Sequence, residues 1–105
     1  MSDWIRVCAT AALLPGEMRV VWAGDMPIVV FHHDGDFHAL EDRCSHEDYE
    51  LSAGTFDADE GTIECVLHGA RFDVRDGRPL CPPAYTPVRR FATRVEDGAV
   101  WVQAD

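Results

Sequence analysis

Lysine is absent from this 105-residue chain: its nine basic residues are all arginines, set against nineteen acids. The formal net charge of -10 leaves no basic face to neutralise phosphates. Nucleic acid and anionic membrane surfaces are therefore excluded as expected partners. Long apolar runs are missing too. The run Pro27 to Phe31, even with Met26 before it, falls far short of the roughly 20 residues of a membrane span. Met1-Ser2-Asp3-Trp4-Ile5-Arg6 holds no basic segment followed by an apolar one, so no export signal is read and a cytoplasmic location is expected. Cysteines are few, four in all, and a reducing cytoplasm argues against pairing them in structural disulfides. Also lacking are a general-acid pair, a nucleophile beside a base, and a glycine-rich loop for a flavin or nicotinamide.

What is present fits one compact domain spanning 1-105. Hydrophobic residues make up 47% and charged residues 27%, enough apolar material for a real core. The charge is uneven. From Asp34 to Glu64 there are eleven acids and one base, Arg43, so this stretch carries the whole net charge. It reads either as a solubilising face or as a docking surface for a basic partner.

The patterning is that of short strands. Glu17 to Trp22 alternates, with Met18, Val20 and Trp22 on one face. Pro27 to Phe31 reads as a buried strand, and Asp36 to Leu40 follows the His33-Asp34-Gly35 turn to make a hairpin. Arg71 to Val74 ends at the Asp76-Gly77 turn. Phe91, Thr93 and Val95 alternate with Arg90, Ala92 and Arg94, and Asp97-Gly98 turns the chain into Ala99 to Val102. Only Ser45 to Ser52 has room for a helical turn. The expected class is all-β, a small sandwich or partly open barrel of antiparallel strands.

Two motifs carry the chemistry, Cys44-Ser45-His46 and Cys65-Val66-Leu67-His68. Each pairs a thiolate with an imidazole around a tight loop, and two such loops make a four-ligand site. A structural zinc ion accepts two Cys and two His, but zinc fingers usually pair Cys with Cys and His with His. A [2Fe-2S] cluster with two His on one iron needs one Cys and one His from each loop, which is the arrangement present.

At this point the chain resembles the Rieske-type ferredoxins, whose ligand signature is C-x-H followed by C-x-x-H. The likeness extends to Leu51-Ser52-Ala53-Gly54, His68-Gly69-Ala70-Arg71-Phe72-Asp73, Asp76-Gly77-Arg78-Pro79-Leu80 and Pro82-Pro83-Ala84. It is closest to the ferredoxin components of bacterial aromatic-ring dioxygenases. The resemblance implies a Rieske fold of small antiparallel sheets and one [2Fe-2S] cluster held by Cys44, His46, Cys65 and His68. It implies a monomeric one-electron carrier, not itself an enzyme, between a flavin-containing NAD(P)H-dependent reductase and a terminal non-haem iron oxygenase. Alternatives are the small Rieske subunit of an assimilatory nitrite reductase and, in another class, a structural zinc module.

Departures within the family are informative. Respiratory Rieske proteins carry an extra disulfide-forming Cys in each loop, where this chain has Tyr49 and Leu67. They also carry Ser and Tyr donors to the cluster sulfurs, where this chain has Ala70 and Phe72. Fewer sulfur hydrogen bonds imply a potential at the low end of the Rieske range, about -150 mV. Cys8 reads as a buried hydrophobe, and Cys81, before Pro82-Pro83, as a thiol beside the site but not a ligand. His32, His33 and His38 read as structural or solvent-exposed, and Trp4, Trp22 and Trp101 as core. Glu47, Asp48 and Glu50 follow the first ligand pair and are the candidate docking charges.

Overall fold

Ile28, Val29, Val30 and Phe31 form a run with no polar position, and a strand built from them must be covered on both faces. The computed structural model of the chain describes residues 4-44, 49-66, 69-82 and 85-104. It covers that run completely, with all four side chains at 0% exposure. In chain order the strands are β1 (Trp4–Ala9), β2 (Met18–Ala23), β3 (Met26–His33), β4 (Asp36–Glu41), β5 (Thr55–Asp57), β6 (Thr62–Glu64), β7 (Arg71–Asp73), β8 (Pro79–Cys81), β9 (Arg90–Phe91), β10 (Thr93–Glu96) and β11 (Ala99–Gln103). They form three antiparallel sheets. The first has the order β1-β11-β10, the second β2-β3-β4-β9 and the third β5-β6-β7-β8. The all-β expectation holds.

The second sheet is a wall between two cores. Successive side chains of a strand point to opposite faces. Val29 and Phe31 accordingly join Leu40, Ile63, Phe72 and Val74 in a core shared with the third sheet. Ile28 and Val30 join Ala39, Phe91, Val100 and Val102 in a core shared with the first. Each such side chain contributes about 1.5–3 kcal/mol on burial. Two hairpins fix the registers. Asp34 (φ 52°) and Gly35 (φ 84°) turn β3 into β4, and Asp97 (φ 53°) and Gly98 (φ 70°) turn β10 into β11. Positive φ at both central residues gives the primed turn whose twist matches the strands.

Three expectations need correction. The run from Arg90 to Val95 is not one strand: it changes sheets at Ala92, with Phe91 opposite Ala39 and Thr93 opposite Val102. Of its alternating residues only Phe91 is buried, while Val95 is 55% exposed. The tryptophans do not build the core. Trp22 is 60% exposed because β2 is an edge strand, whose Val21 and Ala23 supply the packed face instead. Trp4 stacks under the Arg94 guanidinium at 4.1 Å, and Trp101 donates its indole N–H to Glu96 O. Finally, the stretch 45–52 is not alone in holding a helical turn: its described part has a 3₁₀ turn at Leu51–Ala53, and a second lies at Thr10–Ala12; residues 45–48 lie outside the described residues.

Candidate metal centre

Cys44 and Cys65 arrive from different sheets. Cys44 follows β4 of the second sheet, and Cys65 directly follows β6 of the third. Both are buried, at 2% and 0% exposure, and both belong to the core that contains Phe31 and Phe72. Neither is joined in a disulfide. Each opens a loop of the same length. The Cys44 N–H donates to Tyr49 O at 2.8 Å, and the Cys65 N–H donates to Ala70 O at 2.7 Å. The second loop is the β6–β7 connection, and its neck is clamped by Arg71 Nε on Glu64 Oε1 at 2.8 Å.

The loops are braced from below. Asp42 is a buried carboxylate, 4% exposed, that accepts the Ser52 N–H and the Ser52 hydroxyl, each at 2.7 Å. This ties the entry of the first loop to its exit. Asp42 in turn donates its own N–H to Pro27 O at 2.8 Å, which anchors the loop to β3. Gly54 presses the two loops together, because a Cβ there would overlap the carbonyl of Glu64, the residue before Cys65. Neither Asp42 nor the role of Gly54 was found from the sequence. Ser52 and Gly54 lie within the Leu51-Ser52-Ala53-Gly54 segment that resembles the family, whereas a lone aspartate before an arginine gives no signal.

His46 and His68 lie outside the described residues, as do Glu47, Asp48 and Leu67. By sequence both histidines fall inside the two closed loops. Among the described residues no three metal-ligating side chains cluster, as follows when half of the expected set is not among them. Cys81 lies beside the second loop, its thiol donating to Gly69 O at 3.5 Å. Ala70 and Phe72 are fully buried, and neither has a hydroxyl to donate. Tyr49 and Glu50 are exposed. Of the other histidines, His32 stacks on Phe37 at 4.2 Å, His33 is buried against the Phe56 edge, and His38 sits in β4 opposite Phe31. The donor set fits a cluster ligated by two thiolates, since two buried, unbridged sulfurs sit at the mouths of matched loops.

A family model for the Rieske [2Fe-2S] domain matches residues 3–92. The ferredoxin component of biphenyl 2,3-dioxygenase from Rhodococcus jostii (strain RHA1) is 39% identical, covering 95% of this chain and 92% of its own. The 3-phenylpropionate/cinnamic acid dioxygenase ferredoxin subunit from Photorhabdus laumondii is 40% identical over 91% of this chain and 90% of its own. Among solved structures, a complex of reduced oxygenase and oxidised ferredoxin in carbazole 1,9a-dioxygenase superposes with a TM-score of 0.89 at 38% identity. The match covers 95% of this chain and 92% of that one.

Proposed function

The chain belongs to the Rieske [2Fe-2S] domain family, and on that premise we propose that it carries single electrons from a flavin-containing NAD(P)H-dependent reductase to a terminal non-haem iron oxygenase. The observation that carries this reading is the meeting of two buried, unbridged cysteines, Cys44 and Cys65, in one core at the mouths of two matched loops. Cys44 and Cys65 are assigned to one iron, and His46 and His68 to the other. Two thiolates and two neutral imidazoles leave the oxidised site neutral and the one-electron-reduced site at -1, which raises its potential above the roughly -400 mV of plant-type ferredoxins.

The chain's own residues adjust that chemistry. The core around Cys44 and Cys65 keeps water from the sulfurs. Ala70 and Phe72 withhold side-chain hydrogen bonds from them, which supports a potential at the low end of the Rieske range, about -150 mV. The loop end also exposes apolar surface. Val66 is 55% exposed and Tyr49 42%, the kind of side chains that a transient partner covers. The carrier is proposed to act as a cytoplasmic monomer, taking one electron from the reductase and passing one to the oxygenase.

The test is a low-temperature EPR spectrum of the dithionite-reduced protein, with iron and zinc measured on the same sample. Two irons per chain and an anisotropic signal of a mixed-ligand cluster are expected. A silent sample with one zinc per chain, expressed with ample iron, overturns the reading.

A further inference from the structure

Trp22 is the largest apolar side chain that the fold leaves outside, and it has a neighbour. It lines a groove of about 230 Å³ together with Asp25, Pro27, Arg43, Tyr49 and Glu50. Two elements meet there. The tip of the β2–β3 hairpin brings Trp22 and Asp25, and the closing end of the first ligand loop brings Tyr49 and Glu50. The 3₁₀ turn at Leu51–Ala53 packs against β2, and Pro27 O accepts the Asp42 N–H, so the hairpin is fixed to that loop. Both aromatic rings are exposed, Trp22 at 60% and Tyr49 at 42%. Arg43 is turned to Glu41, at 3.6 Å. The carboxylates of Asp25 and Glu50 have no partner among the described residues.

Resting on the electron-carrier reading above, we propose that this groove receives a cationic side chain, arginine or lysine, from the electron-transfer partner and so seats that partner beside the Cys44 loop. An indole face and a phenol ring attract a cation through their quadrupoles, and two unengaged carboxylates supply the opposite charge. The partner is thereby specified by chemistry as a protein with a basic side chain at the rim of its docking face. Arg43 and Tyr49, which line the groove, flank the first loop, whose ends are joined by the Cys44–Tyr49 hydrogen bond. Anchoring here would hold the partner beside the first loop.

The test uses the cluster-loaded protein, reduced with dithionite and freed of excess reagent, and cytochrome c as a basic one-electron acceptor. Each turnover moves one electron from the reduced cluster to one ferric haem. Second-order rate constants are measured from low to high ionic strength. Asp25→Lys/Glu50→Lys is compared with Asp59→Lys/Glu60→Lys, which makes the same charge change at the β5–β6 turn, the far end of β6 from Cys65. At low salt the groove pair is expected to fall about tenfold or more below the far pair, within the range of steered encounter, and the gap is expected to close as salt screens it. Trp22→Ala is expected to slow transfer by about two- to fivefold, with little salt dependence. EPR line shape and midpoint potential are expected to stay at wild-type values in all variants. Equal slowing by the two charge reversals, or a wild-type rate in Trp22→Ala, overturns the groove. A wild-type protein that shows the EPR signal yet reduces cytochrome c at no salt concentration overturns the carrier reading, and the groove with it.

Discussion

Asp73 shows how single residues set the pH limits of this fold. It is 7% exposed and receives the Arg75 N–H and Arg75 Nε at 2.9 Å each, with Arg78 Nη2 at 3.3 Å. Burial pushes its pKa up, but the Arg75 hydrogen bonds and the two guanidinium charges outweigh burial and hold it below its ordinary 3.8. A depressed carboxyl stabilises the fold fully above the unfolded pKa and loses that stability as pH falls through the folded one. His38 acts at higher pH. Burial lowers its pKa from 6.5, Asp36 opposes the shift, and His33, Arg75 and Arg90 add to it. The unfolded chain therefore takes up that proton first, and stability also declines as pH falls below 6.5. Urea midpoints should show both losses. Subtracting an Asp73→Asn curve from wild type, which cancels losses common to both, should leave a difference that is constant above about pH 5 and shrinks below pH 4. A difference that is flat across the acid range would assign Asp73 no such role.

At the scale of elements, the third sheet is assembled from strands of three residues each, too short to stand without the packing around them. Gly54 is where that packing is tightest. Gly54→Ala forces a methyl into the Glu64 carbonyl, so one of the two loops must withdraw. The expected result is a loss of about 1–3 kcal/mol in urea unfolding and at least a halving of bound iron per chain. Gly98→Ala is the control. Its positive φ of 70° strains any side chain, but the space around it is open and remote from the loops, so it should lower stability and leave iron unchanged. Sequence reasoning reached the elements whose signals are local. Asp34-Gly35 and Asp97-Gly98 name their turns through backbone preference alone, and the Ile28–Phe31 run declares burial on both faces. The Cys44-Ser45-His46 and Cys65-Val66-Leu67-His68 motifs stand out because thiol and imidazole at short spacing have few other uses, and of these four residues the structure describes the two cysteines. Trp22 was misread because alternation reveals two faces of a strand, and only the neighbouring strands decide which face is covered. The sheet change at Ala92 and the Asp42–Ser52 brace depend on contacts between distant segments, so no local pattern announces them.

The whole molecule is two cores divided by one wall, with Cys44 and Cys65 forming part of one core and β3 lining both. Ligation that binds the native chain and not the unfolded one adds to stability by mass action. Stripping the iron with a chelator should therefore lower unfolding stability by more than about 2.7 kcal/mol, the value for hundredfold saturation. Because the cores share β3, the loss should appear as one earlier cooperative transition, with near-ultraviolet dichroism and tryptophan fluorescence moving together. Two separate transitions would mean that the wall does not couple the cores. The pairing of β1 with β11 has a practical consequence. Trp4 lies opposite Gln103, so both ends of the described chain leave from the first sheet, and the wall stands between that sheet and the ligand loops. Either end is then a handle of the same kind: tethered to an electrode by a tag at either one, the protein presents its loop end to the solution.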